Sequence, residues 1–153
     1  MSALTHMVVF LLDEGRFAFP LEVVERIVRV VEVTPLPQAP NGVVGVINIQ
    51  GRVIPVLDLR CRFGLPPREV EVSDQLLIAH ASKRDIALLV DGADVVALDT
   101  EHTVDAQRIL PGLEYTSSIV KHNGHLILLC DPDALLSLDE QSQLTAATGG
   151  VRP

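Results

Sequence analysis

Few residues in this sequence stand in patterns that could do chemistry. Cys61 and Cys130 could each supply a nucleophile, but a reactive thiolate needs a histidine and an orienting acid beside it, and no known nucleophile elbow surrounds either residue. Two thiols are also too few for a disulfide framework, so packed free thiols in a reducing compartment are expected. His122 and His125 straddle an Asn123-Gly124 turn, where facing imidazoles could chelate a metal. Without a third acid or thiol they complete no zinc site, and a solvated hairpin end is the expectation. Asp58 and Asp131 each follow an apolar run. They could be an acid/base pair, but the expected role is to cap the helical turns after them, near Leu59–Phe63 and Pro132–Leu138. Neither G-x-G-x-x-G nor G-x-x-x-x-G-K-[ST] occurs, so no phosphate-cradling loop is present. The reading is no catalytic residue, no metal and no cofactor, which leaves a module that binds other proteins through apolar anchors.

The elements that would carry such a surface are short. Apolar runs rich in Val and Ile recur between turn signals, the pattern of an all-β domain of many strands. Met7–Leu12 and Arg16–Phe19 read as a hairpin closed by Pro20, and Val43–Ile49 with Val53–Leu59 as a second around Gln50-Gly51-Arg52. Pro55 is tolerable there only at an edge or bulge. Leu21–Glu25 predicts a helical turn and Arg26–Val33 a strand. Thr34–Pro40, with three prolines, predicts an extended connection. The second half predicts strands at Gln75–Ala81, Asp85–Val90, Val95–Leu98, Ile119–His122 and His125–Cys130.

Composition narrows the partners. Lys+Arg 12 against Asp+Glu 20 gives a net charge of −8, and the aromatic residues are only Phe10, Phe17, Phe19, Phe63 and Tyr115. Nucleic acid, which needs clustered cations and stacking rings, is disfavoured. A core so poor in rings is expected to be aliphatic. The longest uncharged stretch, Val33–Gly51, is broken by three prolines and three glycines, so no direct membrane insertion is expected. With neither Lys nor Arg before Arg16 a Sec signal is not expected either, and the chain reads as cytoplasmic and, at this charge, monomeric when isolated.

The strand pattern also repeats. Met7–Ile27 lies on Leu76–Val96 without a gap, placing Phe17-Ala18-Phe19 on Ile86-Ala87-Leu88. Gly51–Asp58 lies on Gly124–Asp131 after an insertion of four residues. An internal duplication follows: one domain over 5–140, with a first barrel near 5–72, a second near 73–140, strand sharing left open, and a flexible tail at 141–153.

The run Gly45-Val-Ile-Asn-Ile-Gln-Gly-Arg-Val-Ile-Pro-Val-Leu-Asp-Leu-Arg60, followed by Arg62-Phe63-Gly64, resembles the most recognisable stretch of the CheW family of bacterial chemotaxis coupling proteins. Met7–Leu12, Phe17–Pro20, Val24–Ile27, Thr34-Pro-Leu-Pro and Ala87–Asp91 extend the resemblance over about residues 5–140. It implies two five-stranded, SH3-like β-barrels packed on a shared aliphatic core with short helices. It also implies a non-catalytic adaptor between the cytoplasmic tips of methyl-accepting chemoreceptors and the regulatory domain of a CheA-type histidine kinase. Carried onto this chain, receptor binding falls on Val24, Ile27, Gly45, Asn48 and Gln50, in a groove between a short helix at Val24–Ile27 and the second hairpin. Kinase binding falls on Val33 and Leu36.

Two positions depart from the family. Asn-Leu-Arg-Gly becomes Asn48-Ile49-Gln50-Gly51, and the usual Glu before Ile27 becomes Arg26, with Glu25 one position earlier. Losing a guanidinium from a contact removes a charge-assisted donor worth about 1.5–3 kcal/mol when buried with its acceptor. Arg52 is the nearest replacement, and a specialised receptor set is the expectation. Two other readings stay open: an array scaffold that binds only the kinase regulatory domain, and a small ligand-binding or enzymatic barrel using the seam as a pocket.

Overall fold

A computed structural model describes residues 4–30, 33–39, 42–80, 85–109, 116–131 and 133. Each predicted hairpin forms. Strands β1 (Leu4–Leu12) and β2 (Gly15–Pro20) pair antiparallel, as do β4 (Val43–Ile49) and β5 (Arg52–Asp58). The β5 ladder to its other neighbour begins at Val56, so Pro55 lies outside it and removes no donor from that ladder. A single 3-10 turn, Leu21–Val23, follows Pro20, and the chain is already extended as β3 (Val24–Arg29). The short helix implied at Val24–Ile27 is therefore a strand. Val24, Ile27 and Val28 are β-branched and pair across to the next strand, which outweighs their helical spacing.

In the second half β6 (Gln75–His80), β7 (Asp85–Val90), β8 (Gly92–Asp99), β10 (Thr116–His122) and β11 (His125–Cys130) match the expected strands. Strand β9 (Thr103–Asp105) and the single-turn helix α2 (Ala106–Ile109) had no signal in the sequence, being too short to show a period. Helix α1 (Leu59–Arg62) starts where Asp58 caps it, the Arg60 N–H donating to Asp58 Oδ1 at 3.0 Å. Asp131 accepts from the Asp133 N–H at 3.0 Å in the same way. Residues 134–138 of the expected last helix, and 141–153, lie outside the described residues.

The strands form a five-stranded sheet, β3-β6-β7-β5-β4, and a six-stranded sheet, β8-β1-β2-β11-β10-β9. Strand β4 recurs 73 residues later as β10 and β5 as β11; β1, β2 and β3 recur about 69 residues later as β6, β7 and β8. On that correspondence the five-stranded order maps onto the first five strands of the other sheet, with β9 added. Even the parallel registers agree, Val56 opposite Ala87 in one sheet and Leu129 opposite Ala18 in the other. Neither sheet is built from one half. The β1–β2 hairpin is completed by β8, β10 and β11, and β6–β7 by β3, β5 and β4.

Three apolar clusters follow from the two-residue period of the strands. Ile47, Ile49, Ile54, Val56, Leu76, Ile78, Ala87 and Leu89 fill the five-stranded barrel, and Met7, Val9, Ala18, Leu98, Val120, Ile127 and Leu129 fill the other. The alternate residues, including Val8, Phe10, Phe19, Leu57, Leu77 and Leu88, form the seam between them. The central strands are buried on both faces, which is why they read as unbroken apolar runs. The seam is aliphatic with one aromatic thread: Phe63 stacks on Phe17 (4.6 Å), Phe17 on Phe10 (5.7 Å), and Phe10 packs against Phe19 (5.1 Å).

Candidate docking surface

The β4–β5 hairpin projects from one mouth of the five-stranded barrel. Gln50 (φ 53°) and Gly51 (φ 88°) both take left-handed backbone, giving the I′ turn that suits two-residue hairpins. Asn48 Oδ1 accepts the Gly51 N–H at 2.8 Å, so this predicted contact residue also builds the turn. Gln50 is exposed at the tip, and Val53, directly opposite Asn48, is 69% exposed. Val24 and Ile27 stand on β3, half-buried against the seam cluster. Gly45 is buried and serves the chain path. A Cβ there would lie 2.2 Å from the Thr34 carbonyl oxygen, where the proline-rich connection bridges to Val46 through Thr34 N–H to Val46 O (2.8 Å) and Val46 N–H to Thr34 O (2.9 Å).

The same mouth is closed by charge, which no sequence pattern announced. The Arg52 guanidinium takes both oxygens of Glu25 (2.9 and 2.7 Å) and Asp85 Oδ2 (2.5 Å). His80 sits between the same acids, Nδ1 2.6 Å from Asp85 and Nε2 3.4 Å from Glu25, while Arg26 Nε lies 3.2 Å from Glu25. The Arg52 hydrogen bonds hold Glu25 below its ordinary carboxylate range, and the His80 bond does so for Asp85. Arg52 was the nearest replacement for the arginine missing at the tip. Its fork is already filled by Glu25 and Asp85. Glu25, His80 and Asp85 come close enough to suggest a cation site, but Arg52 already donates to both carboxylates, and Arg26 beside Glu25 supplies a second positive charge.

The opposite mouth is apolar. A pocket of about 280 Å³ opens there between Val30, Val33, Pro35, Val44, Val56, Val70 and Leu89. Val33, predicted to face a kinase, lines it; Leu36 lies close by in the chain and is 43% exposed. Val33 and Leu36 are thus at the far end of the barrel from Gln50.

A second ionic network, also unforeseen, ties the seam together. Arg60, only 5% exposed, donates to Asp13 and to both oxygens of Asp91, and Arg68 bridges Asp91 and Asp74. Burial would raise Asp91, but the bonds from Arg60, the Asp13 N–H and Arg68 outweigh it and hold the carboxyl low. Arg68 thereby pins the connection between β5 and β6 to the turn at Asp91, which itself is bonded to the turn at Asp13. His122 and His125 pair across the other hairpin tip, and no third ligand joins them among the described residues.

The model of the CheW-like domain matches residues 6–140. The chain belongs to the CheW-like family. The chemotaxis protein CheW of Bacillus subtilis (strain 168) is 31% identical over 147 residues, covering 92% of this chain and 90% of that one. CheW of Thermotoga maritima is 29% identical over 128 residues, covering 83% and 84%. The crystal structure of the scaffolding protein TtCheW from Thermoanaerobacter tengcongensis superposes with a TM-score of 0.77 at 25% identity, covering 87% of this chain and 92% of that one. In this CheW-like domain Val24, Asn48 and Gln50 stand toward the hairpin mouth of the five-stranded barrel and Ile27 farther along β3, whereas Gly45, beside Thr34, lies toward the other mouth with Val33 and Leu36. No described helix is long and apolar enough to cross a membrane.

Proposed function

We propose that this CheW-like chain is a non-catalytic, cytoplasmic signalling adaptor that bridges chemoreceptor tips and the regulatory domain of a CheA-type histidine kinase. One observation carries the reading: the hairpin tip with Asn48 and Gln50 and the pocket with Val33 and Leu36 lie at opposite mouths of a single barrel, Gly45 serving the chain path rather than either face. A bridge must hold two partners at once, and surfaces at opposite ends of one rigid element do so without competition. The hairpin face of Asn48, Gln50 and Val53, flanked by Val24 and Ile27, suits a helical receptor tip. The pocket lined by Val33 suits an aliphatic anchor from the kinase domain, with Leu36 at its rim. An enzymatic use of that pocket is disfavoured, since its walls among the described residues are valine, proline and leucine, which do not orient a polar substrate.

The kinase-only scaffold remains the second reading, favoured by the neutral Gln50 tip and by the commitment of Arg52 to Glu25 and Asp85. Calorimetric titration with the kinase regulatory domain and then with a receptor-tip fragment from the same cell separates the two. Micromolar or tighter binding to both, non-competitively, is the expected result for a bridge. Kinase binding alone selects the scaffold, and binding to neither removes both readings.

A further inference from the structure

We infer that Arg52 is the positioning residue of the receptor-docking face: it touches no partner, and instead locks β3 to the β4–β5 hairpin so that the two halves of the face act as one. This rests on the receptor-tip reading above. Strands β3 and β5 are not neighbours in their sheet, since β6 and β7 lie between them. What joins their ends at this mouth is side-chain chemistry. Arg52 leads away from the I′ turn directly opposite Ile49, so a displacement of its guanidinium moves the tip that carries Gln50. Glu25 sits at the irregularity between Val24 and Arg26, where the ladder to β6 skips a residue and the strand is least constrained by its neighbour. The two-toothed Arg52–Glu25 contact (2.9 and 2.7 Å) fixes that irregular point, and the third bond, to Asp85, anchors the guanidinium to a central strand.

The consequence for partner chemistry is specific. With Nη1 bonded to Asp85 and Nη2 to Glu25, the 40%-exposed Arg52 side chain is drawn away from the turn, and the tip itself is an amide (Gln50), a turn-building amide (Asn48) and an exposed aliphatic (Val53). The receptor helix it fits therefore presents a neutral polar group to Gln50 itself, whose amide supplies no charged donor to a carboxylate.

A double-mutant cycle with Arg52→Ala and Glu25→Gln tests this, read in two ways on the full chain. Against a receptor-tip hairpin fragment, each single variant is expected to weaken binding about tenfold, and the double variant no more than either alone, because both changes break one lock. Additive losses would mean that Arg52 contacts the partner directly, and unchanged binding in both single variants would mean that the lock does not matter; either overturns the inference. In the free protein, amide exchange is expected to quicken at Val24–Ile27 in both variants while β10–β11 keeps its protection. Unchanged exchange at Val24–Ile27 overturns the inference whether or not the fragment binds. Exchange that quickens in the variants, with a wild-type chain that ignores the fragment, would refute the receptor reading and leave the lock standing.

Discussion

The two mouths of the five-stranded barrel close in opposite ways. At one, Arg52, Glu25, Asp85 and His80 satisfy one another above Ile54 and Ile78 and seal the interior with charge. At the other, the proline-rich connection is tied to β4 by the Thr34 bridge, and Val30, Val33 and Val44 are left as the walls of an open pocket. Charge gives the first end a fixed shape and a neutral outer tip. The second end keeps apolar surface that is unsatisfied until something fills it. A partner at the first mouth would be selected by the arrangement of polar groups, and a partner at the second by the volume it inserts.

The largest expected effect lies in the chain path that makes the second mouth. Gly45→Ala places a methyl against the Thr34 carbonyl and the backbone of Pro35, which cannot yield without breaking the bridge to Val46. A cost of about 3 kcal/mol is expected, as for other overpacked sites, lowering the melting midpoint by roughly 8 °C. A variant that melts with the wild type would show that the connection is free to lift. Next in size, Val33→Asp puts an unpaired carboxylate into the pocket wall and is expected to weaken the kinase regulatory domain by about 2 kcal/mol, roughly thirtyfold, in calorimetry. Receptor-tip binding, at the other mouth, is expected to be unchanged. Equal loss of both would mean that the mouths are not independent.

How much of this was legible in the sequence varies with the kind of interaction. The hairpins, the central strands and the duplicated registers were legible because a strand buried on both faces writes its burial as an unbroken apolar run. The Asp58 cap was legible because a cap is local. The ionic groups at the first mouth were not: Glu25, Arg52, His80 and Asp85 come from four strands, and only the closure of the barrel brings them together. The helix implied at Val24–Ile27 failed for a related reason, since pairing with β6 overrides local spacing. Candidate contact residues could be named from their surroundings in the chain, but what the fold asks of each could not. Gly45 is a steric allowance and Asn48 a turn-builder, which only the fold reveals.

Acid sharpens the comparison with a smaller effect. Glu25 and Asp85 have folded-state values below their ordinary 4.5 and 3.8, so the stability they contribute is complete above those values and is lost as pH falls through the depressed ones. Among the described residues the pocket lining has no titratable group. Melting midpoints of the wild type measured from pH 6 down to pH 3 are expected to fall more steeply than those of Arg52→Ala, because the variant has already lost the lock. Parallel curves would show that the charges close the mouth without stabilising it.

The smallest effect concerns the relation of the barrels to each other. Burial pushes the Cys130 thiol up to about 12, and it lies in the seam, whereas Cys61 on α1 is exposed. A thiol reagent at neutral pH is therefore expected to modify Cys61 quickly and leave the melting curve almost unchanged, with Cys130 reached only when the seam opens. Because the β2–β3 and β7–β8 junctions between the sheets are short, and Arg60 and Arg68 hold the turns at the seam's edge, the barrels are expected to stay together while their strands stay paired. Cys130 is expected to react at the rate of global unfolding, measured by exchange of the central β6 amides. Faster reaction would mean that the seam opens on its own, and that the two mouths, for all their difference, belong to bodies able to move apart.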